Sequence, residues 1–487
     1  MYEIVLAFAT LTFLAVGAYY VRSGLFSPYH PFTFYCAFHG LVFVIRPWIA
    51  WYCKYDLIYL AFQFWPSQSD KITAILATTL GFVVFAAVCL RIGNVPMRFR
   101  QDRATHDERR RLFPTFIWVT VLCGPIAIYS LFHQWQYGLE GMVLDRSTGI
   151  SINTTANGYL VDAQLMLVSL CAVVAWINRF RLMSLAPLAF FVLYRAGTGG
   201  RAPFIAAIVS VGLFYLFERR HLFPPLRIAL LLIPSLLLFR LVGDDRGASV
   251  KNFVNADGGA IVATTNRPTR LLESMDYANL EFMEYLVYVI PQRSGTYDYF
   301  LSNLQIFTEP VPRVFWPDKP VGPPISRVDL MRYGQPIGMT LSVTGQGWYA
   351  LGWLGVVIWS GLFGWAMGLV YRKFVNGPQS AFQTAAYMVF VPSLIVGYRD
   401  GSVLTLLRST GVYMVPIILW YVLSRLLGLP SVASLRKAAL ARVRPWGIQP
   451  ELITGQMDSG QRPDEHLAGL PPPVRRRRLA LMAPDAG

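Results

Sequence analysis

The sequence predicts an all-α, polytopic membrane helix bundle with one large loop outside the bilayer. Three observations carry that expectation. Of the 487 residues, 54% are hydrophobic and 14% charged, which is too little charge to cover a soluble domain of this length. Apolar runs of about 18 residues or more, long enough to cross a hydrocarbon core, recur along the chain. Finally, arginines gather beside those runs, at residues 91–111, 219–227 and 436–478, as basic residues do in short cytoplasmic loops. The same placement explains the formal net charge of +16 as membrane topology and argues against nucleic acid as a partner.

Apolar length sets about eleven spans, at residues 3–21, 32–52, 72–91, 114–132, 159–177, 183–197, 203–218, 226–242, 347–370, 381–398 and 408–427. The first run has no basic start, and its Ala7-Phe8-Ala9 comes too early to be a cleavage site, so it reads as a retained span rather than a signal peptide. Cys36, Cys53, Cys89, Cys123 and Cys171 lie in or beside apolar runs without paired spacing. They are expected as free thiols packed in helices, not as disulfides or zinc ligands. Counting from the basic loop 91–112 or from the basic tail gives one orientation, N-terminus outside and C-terminus inside. The chain divides accordingly into an N-terminal bundle of about eight spans (1–242), an outer loop (243–345), about three C-terminal spans (346–429) and a basic, disordered cytoplasmic tail (430–487).

The outer loop carries nine Lys/Arg against eleven Asp/Glu, so its cations need a reason other than topology. Residues 277–290 read as an amphipathic helix in the interface plane, with Leu280, Met283, Val287 and Ile290 on one face and Glu281, Glu284 and Tyr288 on another. Asp244, Asp245, Glu273, Asp276, Glu281 and Glu284 are the carboxylates available as a general base. No D-x-D pair, Walker loop, dinucleotide fingerprint or G-x-S-x-G elbow occurs, so neither a metal-bound nucleotide sugar nor a cofactor is expected.

A second signal is the glycine-rich elbow from Tyr194 and Arg195 through Thr198, Gly199, Gly200, Arg201 and Pro203, set between two short apolar runs. Glycines let backbone approach a ligand, helix-start amides attract anions, and arginine grips phosphate with a forked set of donors. The competing reading is a tight turn with an arginine snorkelling to the interface. Arg46, Arg240, Arg246, Arg399 and Arg408 are further arginines within or near span ends. If several converged with Arg201 they would make a pyrophosphate pocket. Asp400 beside Arg399 is the obvious counter-charge.

The elbow Thr198-Gly199-Gly200-Arg201 resembles the small-residue-then-arginine turn of bacterial O-antigen and exopolysaccharide polymerases of the Wzy type. Ser294, Gly295 and Tyr297, followed by Val311-Pro312-Arg313-Val314-Phe315-Trp316-Pro317-Asp318-Lys319-Pro320, are similar to a stretch in that family's large outer loop, and residues 345–355 are similar too. The resemblance implies a metal-independent, all-helical membrane glycosyltransferase (glycosyltransferase-C-like) of the bacterial inner membrane. It would act on the periplasmic face, moving a growing glycan from undecaprenyl pyrophosphate onto a lipid-linked repeat unit. Donor and acceptor are then undecaprenyl-pyrophosphate-linked oligosaccharides, and membrane lipid, a chain-length regulator and a flippase are the expected partners. On this reading Arg195, Arg201, Arg246, Arg313, Lys319 and Arg399 bind pyrophosphate. Arg201, with Glu281, Glu284 or Asp245, acts in catalysis, and Tyr297, Tyr299 and Trp316 stack on sugars. Arg313 and Lys319 serve equally well to fix the loop through Glu309 and Asp318, and the aromatics to pack it onto the bundle.

Two rivals share the span pattern. An O-antigen ligase, transferring glycan to lipid A core, typically places a histidine in the outer loop, and none occurs at 243–345. A lipid-linked oligosaccharide flippase usually shows repeated halves and short loops, whereas this chain has no internal repeat.

Overall fold

A computed structural model describes residues 1–137, 142–144, 151–153, 158–198, 201–225, 270, 272–311, 315–316, 319, 322–336 and 338–443. The expected span at 226–242 lies outside these residues. Among the described residues, nine helices are long and apolar enough to cross a membrane: α1 (Tyr2–Arg22), α2 (Pro31–Cys53), α3 (Gln68–Ile92), α4 (Arg103–Gln136), α5 (Leu160–Ile177), α7 (Arg201–Glu218), α9 (Ser342–Asn376), α10 (Ala381–Asp400) and α11 (Val403–Leu426). The shorter apolar helix α6 (Leu182–Gly197) precedes α7, and the buried helix α8 (Asn279–Val289) precedes α9. The protein is a helical membrane bundle. Its described strands are one short antiparallel ribbon, Met142–Leu144 with Ser151–Asn153.

Two apolar cores hold the bundle. One gathers α1, α2, α3, α8 and α9; the other gathers α4, α5, α7, α10 and α11. Aromatic rings fill the first densely. Phe82 lies within ring contact of Phe32, Tyr35 and His39, and Tyr35 packs in a tilted contact on Phe85, with ring centres 4.0 Å apart.

The ends of the helices sort onto two faces. On the basic face, Arg100 donates to the Asn376 carbonyl at 3.0 Å and Gln101 to the Phe217 carbonyl at 2.8 Å. There Glu108 accepts the backbone N–H groups of both Ala381 and Val432. The basic loop and the start of the C-terminal region therefore share one face. Residues Val432–Val443, expected to be disordered, are helical. The Glu108 carboxylate caps the first N–H, and Arg436 reaches Asp102 at 2.7 Å. Residues beyond 443 lie outside the described part of the chain.

On the opposite face, α9 corrects the expected span at 347–370. The helix breaks at Leu351 and Gly352, where Gly352 has φ 59°. Gly347 and Gly355 then touch through their backbones: a Cβ on Gly355 would stand 2.0 Å from the Gly347 carbonyl oxygen. Thr344 and Ser360 both lie against Gly81, so the short arm before the break folds back along the start of the long arm. A β-carbon at residue 352 would meet the Tyr297 hydroxyl at 2.9 Å, and only glycine suits both this backbone and this contact. The crossing helix is the arm after the break. It runs parallel to α3, because Gly81, Cys89 and Gly93 meet Ser360, Gly364 and Tyr371 in that order.

The helix expected over residues 277–290 is α8, but it does not lie on the surface. Every residue of it except Tyr288 is buried. Its two carboxylates are buried because they meet partners from the α2 and α3 side of the bundle.

Candidate functional site

The site face carries a cluster that joins three separate elements. Arg201 opens α7, Arg399 lies in the last turn of α10, and Asp276 sits in the turn Met275–Tyr277 just before α8. Arg201 Nη2 is 2.5 Å from Asp276 Oδ2, and Arg399 Nη2 is 3.5 Å from Asp276 Oδ1. The carboxylate thus bridges two guanidinium groups. Arg201 and Asp276 are each 21% exposed and Arg399 34%, so the cluster is within reach of a ligand. Arg399 Nε is buried without a hydrogen-bond partner among the described residues. Buried Asn279 holds the frame: its Nδ2 donates to the carbonyls of Arg399 and Thr340, each at 3.0 Å. Two of the arginines expected at a pyrophosphate site are therefore brought together, with Asp276 between them.

Next to this cluster is a cavity of about 420 Å³, whose walls include Thr340, Gln346, Tyr349, Asp400, Glu309 and Arg408. Arg399 and Asp400 are consecutive, yet they serve different spaces, one facing Asp276 and the other the cavity. The expected neutralisation of Arg399 by its neighbour gives way to pairing with Asp276. Arg408 donates to Asp162 at 2.9 Å and lies 3.6 Å from Glu309. Lys319 donates to the carbonyls of Glu309 and Val311 at 2.8 and 3.2 Å, with the Glu309 carboxylate 3.7 Å away. Of the two roles open to Lys319, these contacts serve to fix the loop.

Glu281 and Glu284 belong to another environment. Arg46 donates to both carboxylate oxygens of Glu281 and, at 2.8 Å, to the Leu272 carbonyl. Glu284 accepts the Tyr59 hydroxyl at 2.5 Å, and Lys71 Nζ lies 4.4 Å from the centre of the Tyr59 ring. Burial pushes the Glu284 carboxyl up to about 7; Lys71 draws it down, and Glu281 raises it further. Neither carboxylate is on the cavity wall. Sequence reasoning grouped them as exposed acids because their partners are more than two hundred residues away.

The remaining expected residues scatter. Arg195 is held in a polar nest by Gln134 at 2.5 Å, Gln164 at 3.0 Å and Thr198 at 3.2 Å, apart from the Asp276 cluster. Tyr297 packs under Gly352, while Tyr299 is 46% exposed with Arg327 5.4 Å above its ring. Trp316 is 38% exposed. Asp245, Arg246 and Arg313 lie outside the described residues. Asp276 was only one of six candidate carboxylates in the sequence, and Gln346 and Tyr349 carried no signal beyond their place in the similar stretch 345–355. In comparisons with family models, curated proteins and solved structures, nothing matches this chain.

Proposed function

We propose that this protein is a bacterial inner-membrane glycosyltransferase that polymerises undecaprenyl-pyrophosphate-linked repeat units into O-antigen or exopolysaccharide. The site face is the periplasmic one in this reading. The observation that carries it is the meeting of Arg201 and Arg399, from different helices, on the single partly exposed carboxylate of Asp276. Such a frame suits a diphosphate, whose oxygens would replace the carboxylate and take charge-assisted hydrogen bonds from both guanidinium groups. When the bond from the donor sugar to pyrophosphate breaks, negative charge grows on the leaving oxygen. Two cations held on separate helices at that position, once Asp276 is displaced, stabilise it. The same-face placement of the basic loop 91–112 and the C-terminal helix supports a cytoplasmic assignment for the opposite face.

A deletion strain that assembles O-antigen tests the reading. The expected result is surface glycan cut to a single repeat unit, because export and attachment continue. Lipid-linked polymer with no attached glycan would identify a ligase, and repeat units trapped inside would identify a flippase. Complementation with Arg201→Ala is expected to leave the single-repeat product while the protein still accumulates in the membrane. Normal chain length in that strain would remove Arg201 from the reaction.

A further inference from the structure

We propose that the cavity beside Asp400 receives the acceptor saccharide and that Asp400 is the base that takes the proton from its attacking hydroxyl. This rests on the polymerase reading and assigns the second substrate a place within it. The cavity, about 420 Å³, falls in the range of small-molecule pockets, roughly 300–1,000 Å³. Its walls set polar groups among apolar side chains such as Val328, Leu330, Met339, Leu341 and Leu404, a mixture that suits a sugar ring with its apolar face and hydroxyl rim. Gln305, Gln346 and Thr405 offer amide and hydroxyl groups, and Tyr349 adds an aromatic ring.

The charges on the wall differ in how far they are satisfied. Arg408 is shared between Asp162 and Glu309, and Glu309 is also paired with Lys319. Asp400 makes no hydrogen bond through its carboxylate among the described residues, although it lines the cavity. An acceptor hydroxyl would supply the missing partner. Asp400 follows Arg399 in sequence, so the base and one of the cations holding the leaving group stand on the same helix turn. The step balances as a group transfer. The acceptor O–H gives its proton to Asp400, and its oxygen bonds to C1 of the donor sugar. The C1–O bond to pyrophosphate breaks, its electron pair leaves with the lipid diphosphate between Arg201 and Arg399, and the proton passes from Asp400 to solvent as product departs. Neighbouring Arg399 keeps positive charge near Asp400, and Glu309 on the same wall is held in its own ion pairs.

The test uses the full chain in lipid nanodiscs. Turnover of a lipid-diphosphate-linked repeat unit is measured across pH for wild type, Asp400→Asn and Asp400→Glu. Binding of the same oligosaccharide, freed of its lipid, is measured by saturation-transfer NMR. Asp400→Asn is expected to lower the rate by about 10²–10⁴-fold with KM little changed, and to abolish the acid limb of the pH profile. Asp400→Glu is expected to recover part of the rate and the limb. Gln346→Leu is expected to weaken binding of the free saccharide, whereas Asp400→Asn still binds it. Retention by Asp400→Asn of wild-type turnover and pH profile would overturn the base assignment. Equal binding by wild type and Gln346→Leu would overturn the pocket. Should wild type bind the saccharide yet form no polymer, the polymerase reading fails and the saccharide site stands.

Discussion

Two arginine–carboxylate pairs in this bundle differ in what surrounds them. Arg46 and Glu281 have side chains 1% and 6% exposed, sealed between α2 and α8. Arg201 and Asp276 are each 21% exposed, and their carboxylate is shared with Arg399. In the first pair every charge depends on the other, since desolvation leaves no water to replace a lost partner. In the second, water or an incoming anion can replace the carboxylate, so the pair adds little to folding and is free to exchange. The same chemical groups therefore hold the fold in one region and offer a ligand frame in the other.

The largest effect that would sharpen this contrast is expected at Arg46. Arg46→Ala leaves Glu281 buried without its cation and should cost about 3–5 kcal/mol, read as a lowered thermal-unfolding midpoint in detergent. The double variant Arg46→Met with Glu281→Leu should recover most of that loss. A single variant that melts like wild type would show the pair to be dispensable.

A smaller effect is expected at Glu284, whose folded carboxyl is raised to about 7 from an ordinary value of 4.5. The unfolded chain releases this proton near 4.5 and the folded protein only near 7. Its contribution to stability is therefore fullest below pH 4.5, falls as pH rises between the two values, and levels off above 7. The total is on the order of 3 kcal/mol, from about 1.4 kcal/mol per unit. Unfolding midpoints of wild type and Glu284→Gln should diverge between pH 5 and 7.5, with the wild type losing more. Parallel curves would contradict a protonated Glu284.

The smallest stability effect belongs to the partly exposed cluster. Asp276→Asn should change stability by less than about 1 kcal/mol but bind inorganic pyrophosphate more tightly, because two guanidinium groups lose their competitor. Isothermal titration checks this. Unchanged or weaker pyrophosphate binding would break the comparison.

How much of the site was legible follows from where the partners lie. Arg201 stood out because glycines and a proline around it are neighbours in sequence, and Arg399 because it ends an apolar run. Their convergence was not legible, since Asp276 comes from a turn between them in the chain and meets them only when α7, α8 and α10 pack. Glu281 and Glu284 were grouped correctly on one side of a helix, but which medium that side faces depended on Arg46, Tyr59 and Lys71, far earlier in sequence. Asp400, passed over as the neighbour of Arg399, lines the cavity because the helix turn separates the two side chains.

From the amino acids alone came the membrane-bundle class and most helix positions, because apolar run length is a local property that the thickness of a bilayer converts directly into a span. The fold-back at Gly352, the docking of Val432–Val443 on the basic loop and the pairing of Arg399 with Asp276 were settled by tertiary structure. Each depends on which surfaces meet across large sequence separations. Partner choice for a charge depends on distance and desolvation in the packed bundle, and neither is a property of the residue or of its neighbours along the chain.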